Sequence, residues 1–204
     1  MKKLFDEIPR LENEHVTLRR VTEEDAEALW AMTRSREVYR YLPTFLFEQQ
    51  YDDIHAVIRE LYGDIFREKK SLILAVCRTE APEIFCGLAE FYGFRRFMNK
   101  TCVGYRLAEQ FWGQGIAAQT VELMVDYLFT QTDTRIITAS TMIENHASAR
   151  VLEKNGFLRI LSGVPEDWGY PKPVKADKWI RGDRPERENW RFHTGALRSG
   201  GRIH

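Results

Sequence analysis

The chain has 204 residues, enough to bury the core of one domain. Its 30 Lys and Arg residues balance its 30 Asp and Glu residues, and a zero net charge argues against nucleic acid as a general partner. No apolar run is long enough to cross a membrane, and the N-terminus turns acidic too early for a signal peptide, so we expect a cytoplasmic protein without a membrane partner.

The first half of the chain alternates between strand-like and helix-like segments. The four residues from Thr22 to Asp25 form a capping-box pattern, which is typical of a helix start. Pro43 marks a break before the next helical pattern. We predict, in order, a strand at 16–20, a helix at 22–33, a helix at 49–66, and strands at 72–77 and 84–94 joined by a turn around Ala81 and Pro82.

The second half continues the alternation, which is typical of an α+β or α/β domain. Residues 194–204 have few apolar side chains and two adjacent glycines, so we predict a flexible tail after a single domain of residues 1–193. The other predicted elements are a strand at 101–107, a helix at 115–130, a strand at 135–142, a helix at 147–154, and strands at 157–161 and 176–181.

The three cysteines indicate neither a disulfide framework nor a metal site. Their number is odd, and none belongs to a Cys-x-x-Cys pair. We predict that Cys77, Cys86 and Cys102 are buried, reduced thiols and that the chain binds no metal.

A glycine-containing turn lies between the strand at 101–107 and the helix at 115–130. The first N–H groups of a helix lack intrahelical partners, and the helix dipole places partial positive charge there. Gly113 and Gly115 have no Cβ, so the main chain can adopt positive φ and approach a phosphate closely. The turn therefore favours a phosphorylated ligand held by backbone amides, although a strand-to-helix turn without a ligand would have the same pattern.

A second motif begins about thirty residues later, at residues 145–157. Asn145 is a preferred N-cap residue for a short helix, and Val151 and Leu152 supply its apolar face. Gly156 suits the left-handed position that ends many helices, and Phe157 opens the next apolar run.

In this order and spacing, the two segments resemble the GNAT superfamily of acyl-coenzyme A-dependent N-acyltransferases, and within it the ribosomal-protein N-terminal acetyltransferase-like (RimJ/RimL-type) branch. Residues 112–117 are similar to the pyrophosphate loop of that branch, with Trp112 where other branches carry Arg or Gln. Residues 145–157 are similar to its second cofactor motif, and residues 16–25 to its first strand and helix cap. The resemblance covers roughly residues 10–190.

The resemblance implies a mixed, mostly antiparallel central sheet of about seven strands, with helices on both faces and with parallel strands 4 and 5 splayed apart. It also implies acetyl-coenzyme A as co-substrate. Asn145 could also be a plain N-cap, and the two roles are compatible; Lys154 could equally be a solvated surface residue. The implied binding residues are Tyr105, Arg106 and Leu107, together with Gly104, along pantetheine; Gln110, Phe111, Trp112, Gly113, Gln114, Gly115, Ile116 and Ala117 around the pyrophosphate; and Asn145, Ser148 and Lys154.

The implied reaction is acetyl transfer to a primary amine by direct attack through a tetrahedral intermediate. The resemblance places Ser148 where a hydroxyl would protonate the leaving thiolate; the alternative is a small helix residue that packs against the cofactor. The amine must also lose a proton, and Glu90 is a candidate base because a carboxylate is costly in an otherwise apolar strand. An outward-facing Glu90 on a half-exposed sheet is the alternative, and Glu109 and His146 are weaker candidates.

The acceptor is expected to be a protein N-terminus or a small-molecule amine, and the protein a monomer or homodimer. A different class of function, a non-catalytic acyl-coenzyme A-binding sensor or interaction module, would need the same cofactor motifs. Aromatic and charged residues in the first helices and later loops could line an acceptor pocket or belong to the ordinary core: Tyr39, Tyr41, Phe45, Phe47, Arg95, Arg96 and residues 166–170.

Overall fold

The structure, a computed structural model that describes residues 4–183, is built on one eight-stranded sheet. Its strands are β1 (Leu11–Glu12), β2 (Val16–Arg19), β3 (Ser71–Arg78), β4 (Ala81–Arg95), β5 (Lys100–Leu107), β6 (Ile136–Met142), β7 (Leu158–Glu166) and β8 (Val174–Gly182). They lie in the order β1-β2-β3-β4-β5-β6-β8-β7, and each neighbouring pair is antiparallel except β5 and β6. The predicted mixed, mostly antiparallel sheet with one parallel pair is therefore confirmed.

Helices cover both faces of this sheet, as predicted. Along β3, Leu72 and Leu74 point towards one core and Ile73 and Ala75 towards the other, because successive side chains of a strand alternate between faces. In residues 4–183 no helix has the length and apolar character needed to span a membrane. The helices are α1 (Ala26–Thr33), α2 (Arg36–Tyr39), α3 (Ile54–Leu61) and α4 (Asp64–Arg67), which lie before β3; α5 (Ile116–Gln131); and α6 (His146–Lys154).

The two cores separate the helices into two groups. Residues of α1, α2 and α3 pack with Ile73 and Leu88 on one face, which we call the α1–α3 face. Residues of α5 and α6 pack with Leu72 and Phe91 on the other, the α5–α6 face. This division is important for the candidate functional site described below, because a gap in the sheet between β5 and β6 connects the two faces.

The predicted single helix at 49–66 is wrong. The chain instead forms α3 and α4, with Asp53 capping α3 by accepting a hydrogen bond of 2.9 Å from the His55 N–H. At Gly63 the ψ angle of −119° interrupts the helix. The preceding Tyr62 is held by the sheet, since its hydroxyl donates to the Ile73 carbonyl at 2.9 Å and accepts from the Val21 N–H at 2.7 Å. These long-range hydrogen bonds have no local sequence signature.

Smaller corrections concern the ends of elements. The turn between β3 and β4 falls at residues 79–80, so Ala81 and Pro82 already belong to the strand. The strand predicted at 157–161 extends to Glu166. Cys77 and Cys86 are buried as predicted, but Cys102 is half-buried and faces a cavity described below. The predicted tail at 194–204 lies outside the described residues.

The predicted capping box forms, and it is tied into a buried ion pair. The Thr22 N–H donates to Asp25 Oδ2 at 2.8 Å, and Arg19 donates to both Asp25 oxygens at 2.8 and 2.7 Å. The Asp25 side chain is only 1% exposed. Removing one partner of such a pair leaves a poorly solvated charge, so we expect Asp25→Ala to lower the free energy of unfolding by about 3 kcal/mol in urea denaturation.

An exposed ion pair provides the control for this prediction. Arg40 and Glu37 lie 3.5 Å apart with side chains 60% and 58% exposed. Glu37→Ala should therefore change the free energy of unfolding by less than about 1 kcal/mol. Equal losses in the two variants would contradict a stabilising role for the buried pair.

Candidate functional site

The parallel strands β5 and β6 pair over only three residues each. The register joins Lys100, Thr101 and Cys102 to residues 136–138, and beyond this point the two strands have no paired residues. Residues 103–107 of β5 remain in the sheet through β4 alone. The splayed parallel strands implied by the family resemblance are therefore present.

Hydrogen-bond alternation shows which main-chain groups of β5 face this gap. The Ala108 N–H donates to the Cys86 carbonyl at 2.9 Å, continuing the antiparallel register that pairs Arg106 with Leu88. In an antiparallel pair, alternate residues exchange both hydrogen bonds with the partner strand. Gly104 and Arg106 therefore bond to β4, whereas the main-chain groups of Tyr105 and Leu107 point towards the gap.

Because of this alternation, only Tyr105 and Leu107 of the predicted residues can offer main-chain groups to pantetheine. The strand geometry does not support the predicted main-chain role of Arg106, because its N–H and C=O face β4. The Leu107 carbonyl is also engaged, since it accepts a hydrogen bond of 2.8 Å from the Trp112 indole. Free donors towards the gap are thus the Tyr105 and Leu107 N–H groups.

The glycine turn at the end of β5, residues 110–117, has the geometry of an anion-binding site, and we call it the glycine cradle. Gly113 and Gly115 adopt φ of +72° and +80°, and a Cβ added at either position would meet no atom within 4 Å. Gly115 is the N-cap of α5, where no side chain caps the helix and no acidic residue lies in the first turn. The open space and uncapped N–H groups, beginning at Ile116 and Ala117, fit a phosphate group.

Side-chain contacts fix the shape of this turn. The Gln114 amide donates to the Gln110 carbonyl at 2.6 Å, and the Arg78 guanidinium at the end of β3 donates to Gln114 Oε1. Phe111 packs against both cores. Arg78 thus places a positive charge beside the cradle, a contribution that its position in the sequence did not indicate.

A cavity of about 1060 Å³ passes through the gap and is lined by residues from both faces of the sheet. It contacts Tyr105 and Ser148 on the α5–α6 face and Glu90 and Arg106 on the α1–α3 face. Predicted acceptor-pocket residues that line it are Tyr41, Phe45, Phe47, Glu166, Asp167 and Trp168. The other predicted residues do not line it: Tyr39, Arg95, Arg96, Gly169 and Tyr170.

Two hydroxyl groups meet where the gap reaches α6. Tyr105 Oη lies 3.1 Å from Ser148 Oγ, and either atom could be the donor. Burial raises the pKa of Tyr105 to about 12, partly offset by the hydrogen bond with Ser148. Asn145 caps α6 as predicted, accepting a hydrogen bond of 3.1 Å from the Ser148 N–H, and it also lines the cavity. Lys154, at the last turn of α6, is exposed and lies away from the cavity.

Glu90 is half-buried and belongs to a cluster with the buried Arg106 and Glu48 on the α1–α3 face, so it is not the outward-facing residue of the alternative interpretation. It accepts hydrogen bonds from Ser71 Oγ at 2.5 Å and from Arg106 Nη1 at 2.9 Å. Arg106 Nε in turn lies 2.5 Å from Glu48 Oε1, and the Tyr39 hydroxyl donates to the same oxygen at 2.9 Å. Sequence reasoning missed Glu48, because nothing in its local pattern indicates burial.

The weaker base candidates lie outside the cavity. Glu109 is exposed and accepts a hydrogen bond from Ser35 Oγ. His146 is the first residue of α6 and does not line the cavity. Of the three candidates, only Glu90 faces the space between the two faces of the sheet.

Comparison with known proteins gives this architecture a family. Residues 15–158 match the profile of the Acetyltransferase (GNAT) domain. The chain belongs to the GNAT acetyltransferase family. The predicted RimJ/RimL-type branch and the predicted enzyme class, an N-acetyltransferase, are confirmed.

Individual GNAT proteins are similar over most of the chain. The uncharacterized N-acetyltransferase YoaA of Bacillus subtilis is 28% identical over 169 residues, covering 83% of this chain and 93% of YoaA. The Bacillus anthracis GNAT acetyltransferase has a TM-score of 0.72 at 18% identity, covering 86% of this chain and 99% of that one. The spermidine N-acetyltransferase of Vibrio cholerae, solved with CoA and spermine, has a TM-score of 0.69 at 19% identity, covering 84% and 97%. At these identities the structures show a shared fold.

Proposed function

We propose that this GNAT protein transfers the acetyl group of acetyl-coenzyme A to a primary amine. The observation that carries the proposal is the cavity that extends from Tyr105 at the splayed strands to Glu90 on the opposite face. Residues 110–117 of the glycine turn lie at the end of β5 and do not line it. Acetyl-coenzyme A would supply the activated acyl group. The chain's own groups would bind it, orient the amine and move protons.

Binding of the co-substrate is assigned to the cradle and the gap. The N–H groups at the start of α5 and the left-handed glycines would hold the pyrophosphate. The Tyr105 and Leu107 N–H groups would bond pantetheine or polarise the acetyl carbonyl, since they point into the gap. Asn145 would contact the arm while it caps α6.

Glu90 is proposed as the general base. An alkylammonium has no lone pair at neutral pH and must lose a proton before it can attack. The Glu90 carboxylate lines the cavity on the side opposite the glycine cradle, where an amine could approach. Ser71 and Arg106 fix its two oxygens, so the carboxylate is held in one orientation.

The Tyr105 and Ser148 hydroxyls are proposed to deliver the proton to the leaving thiolate. Because the two are hydrogen-bonded, loss of either breaks the same route. We expect Ser148→Ala and Tyr105→Phe each to lower kcat about tenfold or more. The double variant should be no slower than the slower single variant. Fully multiplicative losses in a steady-state thiol-release assay would show that the hydroxyls act separately.

The acceptor side of the cavity favours a cationic amine. Its aromatic walls include Tyr41, Phe47 and Trp168, and its carboxylates include Glu90 and Asp167. Aromatic faces and carboxylates both attract an ammonium group. The name of the Vibrio cholerae relative points to spermidine as one amine to test, and the RimJ/RimL-type branch to peptide N-termini.

A thiol-release assay would test this proposal. The protein would be incubated with acetyl-coenzyme A and, separately, spermidine, simple alkylamines and peptides with free N-termini. We expect thiol release that requires an amine. A raised melting temperature with coenzyme A but no release with any acceptor would favour the non-catalytic sensor, and absence of binding would contradict both functions.

A further inference from the structure

Glu48 is a buried carboxylate to which the proposed acetyl transfer gives no role. It is 1% exposed and lies in a 3₁₀ turn, Phe47–Gln49, before α3. Its Oε1 contacts Arg106 and Tyr39, while its Oε2 is buried without a hydrogen-bond partner among the described residues. Burying a carboxylate is costly, so its place beside Arg106 calls for a physical explanation.

The charges around Glu90 add up to one negative charge. Arginine side chains stay protonated in proteins, so Arg106 carries a positive charge. Its side chain lies between the two carboxylates and is 3% exposed. Burial raises the pKa of Tyr39 and of Tyr92, so these neighbouring phenols stay neutral. Among the other carboxylates that line the cavity, Glu166 is paired with Lys178. With both carboxylates ionised, the Glu48–Arg106–Glu90 cluster therefore carries a net charge of −1.

We propose that Glu48 is a positioning residue whose negative charge offsets the positive charge of Arg106. Glu90 thereby remains able to take a proton from a cationic acceptor. The inference rests on the proposed function. In this step an N–H bond of the ammonium breaks and an O–H bond forms on Glu90. The cluster then passes from −1 to neutral. Without the Glu48 charge, the same transfer would change a neutral pair into a buried cation, which a poorly solvated site disfavours.

Charge-restoring variants test this role. Glu48→Gln keeps the shape of the side chain and one oxygen that can face Arg106 and Tyr39, but it leaves the cluster neutral. We expect kcat to fall about tenfold or more. Adding Arg106→Gln returns the net charge to −1, so the double variant should turn over faster than Glu48→Gln alone. Tyr39→Phe removes a hydrogen bond to Glu48 without changing the charge of the cluster. Its kcat should therefore fall less than that of Glu48→Gln.

The measurement is thiol release with the most reactive amine of the panel, together with calorimetric titration of acetyl-coenzyme A and a melting curve for each variant. We expect the affinity for acetyl-coenzyme A to be unchanged in the folded variants. A folded double variant with a kcat no higher than that of Glu48→Gln would overturn the proposed role of Glu48 and leave the proposed acetyl transfer standing. A Glu48→Gln variant with wild-type kcat would have the same consequence. If Glu48→Gln does not fold, a slow Tyr39→Phe variant would overturn it. A wild-type protein without turnover on any amine would overturn both proposals.

Discussion

Replacing Glu90 with glutamine is expected to lower kcat about 10²- to 10⁴-fold while leaving the affinity for acetyl-coenzyme A unchanged. Glutamine has nearly the same shape; its single oxygen can accept a hydrogen bond from Arg106, and its NH2 group can donate to the Ser71 hydroxyl in place of the bond that the native carboxylate accepts. It cannot take up a proton from the acceptor. None of the proposed contacts with acetyl-coenzyme A involves this side chain.

The carboxylate of Glu109 supplies the matched control. Glu109→Gln makes the same chemical change at a residue near the cradle. Glu109 is exposed and lies outside the cavity. Its kcat should stay close to the wild-type value. Initial rates of thiol release give kcat, and calorimetric titration gives the dissociation constant. An unchanged kcat in Glu90→Gln would eliminate Glu90 as the base.

Substituting valine for Gly115 is expected to weaken acetyl-coenzyme A binding on the order of 100-fold. A β-branched residue is strongly disfavoured at the observed φ of +80°, so the N–H groups at the start of α5 would turn away from the phosphate position. The added side chain would also occupy the space beside the helix N-terminus. Calorimetric titration with coenzyme A measures the loss directly.

A second left-handed glycine separates the ligand effect from the backbone effect. Gly163 in β7 has φ of +67°, and a Cβ added there would likewise meet nothing within 4 Å. Gly163→Val should therefore destabilise the fold by a similar amount, about 1–2 kcal/mol or more, without changing the affinity for coenzyme A. Equal affinities in the two valine variants would contradict the cradle assignment.

Local patterns are sufficient to predict most elements, together with the glycine turn before α5 and the cap of α6. The turn before α5 is predictable because glycine, which has no Cβ, tolerates the left-handed conformation of a tight strand-to-helix turn, and Gly113 and Gly115 both adopt positive φ. Asn145 was predicted as an N-cap from its side-chain chemistry and its place before an apolar face. Such features depend on residues close together in the chain.

Features that depend on long-range pairing were not predictable. The parity of β5, which turns Tyr105 and Leu107 rather than Arg106 towards the gap, depends on register with β4, and a one-residue slip would reverse it. Glu48 meets Arg106 only because the turn before α3 packs under β5, 58 positions later in the chain. The break between α3 and α4 likewise follows from the bonds of Tyr62 to the sheet.

The most direct test of the central proposal is to follow labelled acetyl groups. The protein would be incubated with isotopically labelled acetyl-coenzyme A and an extract of cells that produce it, and mass spectrometry would be used to search for labelled small molecules and peptides. We expect label on the primary amine of a specific acceptor with the wild-type protein and far less with Glu90→Gln. Equal labelling by the two proteins would contradict Glu90 as the base, and bound acetyl-coenzyme A without any labelled amine would contradict the proposed acetyl transfer.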